Sequence, residues 1–441
     1  MNEKMKSGTL YTNFEAYGGF VMRFVLTEAV NGAALKKALS EAVKRHPFMA
    51  WTVREENALF YYEENDMPMT VYHADMEHLP VLGGKETNFH LFSVSYNENE
   101  IYVSIWHGLT DGLGGTRFSE TLLYYYFCTA DEKEYEAEGV WKNDGTVYEG
   151  DTAEPYRAAF DVDPSYIAPK DEDSAFHLPE MDGELTPEDV FYEVRLPDNK
   201  FMAFVKENGI SPSVGVALFM NHAICRLHPE NRTAIKTAMP VDIRKAIGMP
   251  NTFKNATVDV AMYYDPAAMS KLSLSEQGQR MRKELKSKMD VENLKRLANA
   301  SMGFLALGDK FDTYAERIGF YRNMPFPPAD TYFLSYMGRL HTGEYGAKIS
   351  SAHAHTIFRG APVMNIFDCA GYFCIGMIVN ERNDGFLDAF VDELNRHGLD
   401  ATRSDGINYR LPYVAVRETL GLPAPEKQTT YLDMKRGMLK G

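Results

Sequence analysis

Trp106-His107-Gly108-Leu109-Thr110-Asp111-Gly112 is the stretch on which the reading of this chain turns. A histidine closes a β-like run, an aspartate follows four residues later, and glycine stands behind it. A His-x-x-x-Asp-Gly string arises by chance roughly 0.05 times in a chain of this composition, so its setting has to decide what it means. Before it, Ile101, Val103 and Ile105 alternate with Tyr102, Ser104 and Trp106, the period of a strand. Residues 89–96 pair with 100–106 as a hairpin turned at Asn97-Glu98-Asn99-Glu100. After it, glycines run from Gly108 to Gly115, and a helix is expected over 116–128.

That setting suits a catalytic base. A neutral imidazole accepts a proton near its ordinary pKa of about 6.5, provided one ring nitrogen is held and the other presented. Glycines allow a sharp turn and close approach to a ligand. Asp111 is placed to lock the loop without touching substrate. On spacing alone, a histidine closing a strand beside an Asp-Gly turn is an equally good reading.

Working outward, 19–27 reads as a strand. Asn31 reads as the N-cap of a helix to Arg45, with Ala34, Leu35, Ala38, Leu39, Ala42 and Val43 on one face and His46-Pro47 as its stop. Strands are expected at 49–53 and 59–63. Residues 130–188 are acidic and carry Pro155, Pro164, Pro169, Pro179 and Pro187, a long irregular join between two halves with some local helix. The boundary is set at 1–180 and 181–441. The second half is expected to run strand 190–196, helix 212–227, strands 233–239 and 256–264, and one long helix 275–308. Extended segments at 331–337 and 345–359, a hairpin at 363–368 and 372–380, and a helix at 384–397 complete it. Both halves mix helix and strand in similar order, an α/β (α+β) class.

The 441 residues are 45% hydrophobic and carry a formal net charge of −16. Such an acidic surface disfavours nucleic acid and anionic membrane as partners. Met1–Gly8 has no apolar run behind its lysines, and no window has the roughly 18 apolar residues of a spanning helix, so a cytoplasmic protein is expected. Cys128, Cys225, Cys369 and Cys374 form no Cys-x-x-Cys pair and read as reduced thiols, with Cys369 and Cys374 buried. The 23 Met, 26 Tyr and 26 Phe suit an adaptable apolar binding surface or an ordinary core equally.

The string resembles the His-His-x-x-x-Asp-Gly signature of the chloramphenicol acetyltransferase/condensation-domain superfamily, which includes alcohol and polyketide-associated acyltransferases. Three other segments agree in order: Arg45-His46-Pro47 after the first helix, Pro240-Val241-Asp242-Ile243-Arg244, and Ser335-Tyr336-Met337-Gly338-Arg339. Together they cover about 35–340. Trp106 stands where the signature has its first histidine, and Tyr336 where it has asparagine. No Asp-Phe-Gly-Trp-Gly string is present, which disfavours the plant branch.

The resemblance implies two similar halves in a V-shaped pseudo-dimer, with an active-site tunnel between them and a crossover from the second half to the first. It implies that His107 is the general base of an acyltransferase, taking a proton from an alcohol or amine that attacks a thioester directly. Asp111 and Arg244 are implied to be a structural pair beside Gly112, and Trp106, Ser335 and Tyr336 to line the tunnel. No cofactor is held permanently; acyl-coenzyme A is the favoured cosubstrate and acyl-phosphopantetheine on a carrier protein the alternative. A non-catalytic binding module is the reading from a different class. A monomer or a dimer fits equally.

Weaker signals are set aside. His353-Ala354-His355 puts two imidazoles on one strand face but lacks a third ligand, so no metal is expected. His222 and His228 read as packing or capping residues. Arg280, Arg282, Lys283, Lys286 and Lys288 read as a solvated face, with docking of a coenzyme A phosphate or an acidic carrier as the alternative.

Overall fold

Apolar residues at alternating positions bury one face of each strand, and those at helical spacing lay helices against the resulting sheets. The computed structural model describes residues 3–13, 18–146, 148, 150–156, 159–171, 174–179, 189–322, 330–356, 361–380 and 385–409. In chain order the first part holds β1 (Glu3–Lys4), α1 (Leu10–Asn13), β2 (Gly19–Leu26), α2 (Gly32–Arg45), β3 (Trp51–Glu56), β4 (Leu59–Glu64), β5 (Val71–His73), β6 (Phe92–Asn97), β7 (Glu100–Trp106) and α3 (Gly112–Ala130). The second part begins with β8 (Asp189–Pro197), α4 (Asp198–Glu207), α5 (Pro212–Leu227), β9 (Ile235–Asp242), β10 (Thr257–Tyr264), α6 (Pro266–Met269), α7 (Leu274–Lys288), α8 (Val291–Ala306) and α9 (Tyr314–Arg322). It closes with β11 (Tyr332–Arg339), β12 (Ile349–His355), β13 (Val363–Cys369), β14 (Tyr372–Asn380), α10 (Gly385–Arg396), β15 (Thr402–Arg403) and β16 (Ile407–Tyr409).

One sheet has the order β12-β2-β7-β6-β5 and a larger one β10-β9-β11-β13-β14-β8-β15, with β16 also on β8; β1-β4-β3 form a third. β12 comes late in the chain yet pairs antiparallel with β2, placing His353 opposite Arg23 and Ala354 opposite Met22. The chain then returns to the large sheet through β13. A strand from the second part thus completes the sheet that presents His107. Among the described residues no helix is long and apolar enough to cross a membrane.

Several boundaries follow from local chemistry. Asn31 caps α2 by accepting from the amides of Ala33 and Ala34, both at 3.1 Å, and Ala34, Leu35, Ala38, Leu39 and Ala42 bury the inward stripe. α3 starts at Gly112, four residues before its expected start, because the Asp111 carboxylate accepts from the Gly114 amide at 3.0 Å. The single helix expected at 275–308 is two, because Asp290 caps a new start by accepting from Asn293. Pro47–Ala50 is a tight 3-10 turn, so the strand expected at 49–53 starts at Trp51. Gly343–Lys348 is also a 3-10 turn, the strand there is Ile349–His355, and 357–359 lie outside the described residues. α4 and α9 were not anticipated.

Past the end of α3 at Ala130, the join was expected to hold some local helix, but it has no α-helix or strand among its described residues; it is nevertheless not loose. Asp151 holds the buried Arg45 at 2.5 Å, and its carbonyl accepts from Phe253. The Ala153 carbonyl accepts from Thr252 Oγ1 at 2.6 Å. The segment therefore packs the end of α2 against the β9–β10 connection.

Candidate active site

His107 follows the last residue of β7, and its backbone amide donates to the Gly18 carbonyl. Its imidazole is fixed by a residue the sequence did not single out. Asn255 Nδ2 donates to the His107 carbonyl at 2.7 Å, and Asn255 Oδ1 lies 3.0 Å from Nδ1. Because the Asn255 nitrogen faces a carbonyl, its oxygen must face the ring, and an amide oxygen only accepts. Nδ1 therefore carries the hydrogen, and in the neutral imidazole Nε2 keeps its lone pair. Burial pushes His107 below its ordinary pKa, and its own carbonyl, the Asp111 charge and Asn255 only partly offset this. The ring is thus neutral near pH 7.

Tyr11 of α1 was also missed. Its ring stacks on the imidazole at 4.1 Å and 10°, and Phe20 of β2 meets the same ring edge-on at 5.0 Å. The Tyr11 hydroxyl lies 3.4 Å from Nε2. With the rings parallel, that oxygen sits over the face of the imidazole, whereas the lone pair points outward in the ring plane. Tyr11 holds the ring's orientation and leaves the lone pair free. Its phenol is pushed up by burial, then by the charges of Asp259 and Asp111.

Asp111 and Arg244 form the structural centre, each about 1% exposed. Arg244 Nη2 donates to both Asp111 oxygens at 2.8 and 2.9 Å. The carboxylate also accepts from the amides of Gly114 and Ala256, each at 3.0 Å. Arg244 spends its other hydrogens on Asp242 Oδ1 and on the carbonyls of Thr252 and Lys254. Burial alone would raise Asp111; the Arg244 charge and these bonds outweigh it and hold the carboxyl below its usual range. One carboxylate thus caps α3 and anchors the 243–256 connection, and that connection delivers Asn255 to His107.

Glycines fit where backbones meet. A Cβ on Gly112 would come within 2.5 Å of Met337 Cε, and one on Gly114 within 2.7 Å of the Phe253 carbonyl. β11 therefore lies directly against the start of α3. Ser335, half-buried, shares the Met337 face, its Oγ 3.5 Å from Met337 Sδ. The remaining tunnel candidates lie elsewhere. Tyr336 alternates to the opposite face of β11, in register with buried Ile366, and stacks on Phe373. Trp106 is 1% exposed inside the first core, its ring filling the space beside Gly108 and Gly18.

Other groups take structural places. His46 is fully buried, with Nε2 2.9 Å from Thr121 Oγ1 and Phe253 edge-on at 4.7 Å. Burial pushes the Cys225 thiol up to about 11 and Cys369 up to about 12, which disfavours either as a nucleophile at neutral pH. His353 and His355 are fully buried against Phe191 of β8. Among the described residues no group of three or more His, Cys, Asp or Glu is disposed to hold a metal ion.

No protein-family model matches the chain, and no curated protein does. Solved structures do. The chain is similar to polyketide synthase associated protein 5 from Mycobacterium tuberculosis, at 13% identity and TM-score 0.58, covering 88% of this chain and 97% of that one. It is similar to F. sporotrichioides TRI101 complexed with coenzyme A and T-2, at 11% identity and TM-score 0.57, covering 91% and 99%. The epimerization domain from the third module of tyrocidine synthetase B matches at 10% identity and TM-score 0.56, covering 96% and 98%. This is the chloramphenicol acetyltransferase-like fold. At such identities the likeness establishes the fold, agreeing with the expectation drawn from the sequence, and it leaves the chemistry to be argued from the residues above. Within that fold, His107 stands between the end of β7 and the start of α3, whose first residue, Gly112, lies against Met337 of β11.

Proposed function

We propose that this protein is an acyltransferase that moves an acyl group from a thioester, acyl-coenzyme A in the favoured case, to a hydroxyl or amine. The carrying observation is the state of His107: Nδ1 is committed to Asn255, and Nε2 keeps an in-plane lone pair. Nε2 takes the acceptor's proton as its oxygen or nitrogen bonds to the thioester carbonyl carbon. The carbon–sulfur bond then breaks, and the departing thiolate takes the proton back from the imidazolium. No acyl-enzyme is needed. The Gly112 amide at the start of α3 and the Ser335 hydroxyl are the donors proposed for the intermediate's oxyanion. Residues 1–180 supply the base and 181–441 its clamp, so the reaction needs both parts. Coenzyme A is favoured over a carrier-bound donor because TRI101 is complexed with coenzyme A in several of the similar structures.

The test is thiol release from a series of acyl-coenzyme A donors with pooled alcohols and amines, for the wild type and His107→Ala. Acceptor-dependent release that disappears in the variant supports the proposal. Equal release from both proteins contradicts it.

A further inference from the structure

The clamp on His107 continues into a strand that carries an uncommitted charge. From Asn255 onward the β10 segment alternates: Ala256, Val258 and Val260 enter the second core, whereas Asn255, Thr257 and Asp259 take the other face. At about 3.3 Å per residue, Asp259 stands roughly 13 Å along the strand from Asn255. Among the described residues its carboxylate has no hydrogen-bond or ion-pair partner. Lys236, whose charge pulls the Asp259 pKa down, is already bound to Asp330 at 2.7 Å. Asp259 is exposed to solvent. Thr257, between Asn255 and Asp259 on the same face, accepts at its carbonyl from the Tyr156 hydroxyl at 2.9 Å, and the Asp259 charge raises both Tyr156 and Tyr11, the ring stacked on His107.

We propose that Asp259 selects the acceptor: the acceptor carries an ammonium group that binds Asp259 while its nucleophilic oxygen or nitrogen meets His107. The inference rests on the acyl-transfer reading. An unpaired carboxylate set back from a base favours a cation, accepts a neutral polar group less well and repels an anion. The spacing suits an aminoalcohol or a diamine with an extended chain of several carbons. Burial, and after it the Asp330 charge, push Asp259 up to about 6 against the opposing pull of Lys236, so it is ionised at neutral pH.

The test titrates the full chain, without acyl donor, with three probes of equal length bearing a terminal hydroxyl: aminohexanol, hexanediol and hydroxyhexanoate. Wild type is expected to bind aminohexanol at least about tenfold more tightly than hexanediol, and hydroxyhexanoate least. Asp259→Asn should remove that preference, and Asp259→Lys should transfer it to hydroxyhexanoate. Both variants are checked for an unchanged melting temperature, and Asp259→Glu should retain the ammonium preference. Equal binding of aminohexanol by wild type and Asp259→Asn, or no binding of any probe, overturns the proposal. Thiol release from acetyl-coenzyme A with the same probes separates the two readings. Asp259-dependent binding without thiol release with any donor contradicts acyl transfer alone. Thiol release indifferent to the ammonium contradicts the acceptor assignment alone.

Discussion

At the residue scale, the proposed base is defined by what its two ring nitrogens do. His107→Ala should lower kcat/KM by about 10²–10⁴-fold, the usual contribution of a positioned base, with no loss of melting temperature. Because burial lowers the His107 pKa, wild-type kcat/KM should be level near pH 7 and fall only below the ordinary imidazole range near 6.5. Asn255→Asp is close in size; it gives up the bond to the His107 carbonyl but sets a carboxylate against Nδ1, which favours the imidazolium. Its acid limb should therefore move to higher pH; an unmoved limb would deny Asn255 its place on the ring. His107 was legible in the sequence because strand, glycine turn and helix surround it within a short stretch. Asn255 and Tyr11 were not, because they reach His107 across 148 and 96 residues and carry no periodic or local signal.

At the element scale, one buried ion pair ties the start of α3 to the β9–β10 connection. Asp111→Ala leaves Arg244 charged, buried and facing a vacancy, and it removes the α3 cap. It should cost about 3–5 kcal/mol of stability, read by denaturant unfolding, together with activity. A variant as stable as wild type that lost only activity would show Asp111 to act in catalysis instead. Helices with a polar cap and one apolar stripe were legible: Asn31 and the alternation of small and large apolar residues define α2 at its observed limits. The break at Asp290 was hidden by continuous helix-favouring composition on both sides, although a cap residue marks it. Ser335 and Tyr336 adjoin in sequence, and only the register of β11 on β13 decides which of them faces α3.

At the scale of the whole molecule, the sheets are joined by β12, and its histidines make that junction sensitive to acid. His353 and His355 are fully buried and held well below their ordinary pKa, first by burial and then by charges that include Arg23. His46, at the end of α2, is lowered by burial and then by Arg45 and Arg117. Unfolding lets each return to about 6.5 and take up a proton, so the unfolded chain binds more protons below that pH. Stability should be level above pH 7 and fall below about 6.5, by up to about 1.4 kcal/mol per pH unit for each histidine. Denaturant midpoints measured across that range check this; a flat profile would mean that the three rings are already charged in the folded protein. The fold itself was legible because four motifs stand in order along the chain. The pairing of β12 with β2 joins residues more than 300 positions apart and shows only in three dimensions.

The measurement that tests the central claim most directly is acceptor-dependent thiol release from acyl-coenzyme A donors by wild type and His107→Ala, both verified as folded. The account predicts release by the wild type and a loss of about 10²-fold or more in the variant. Release that survives the loss of the imidazole would contradict it.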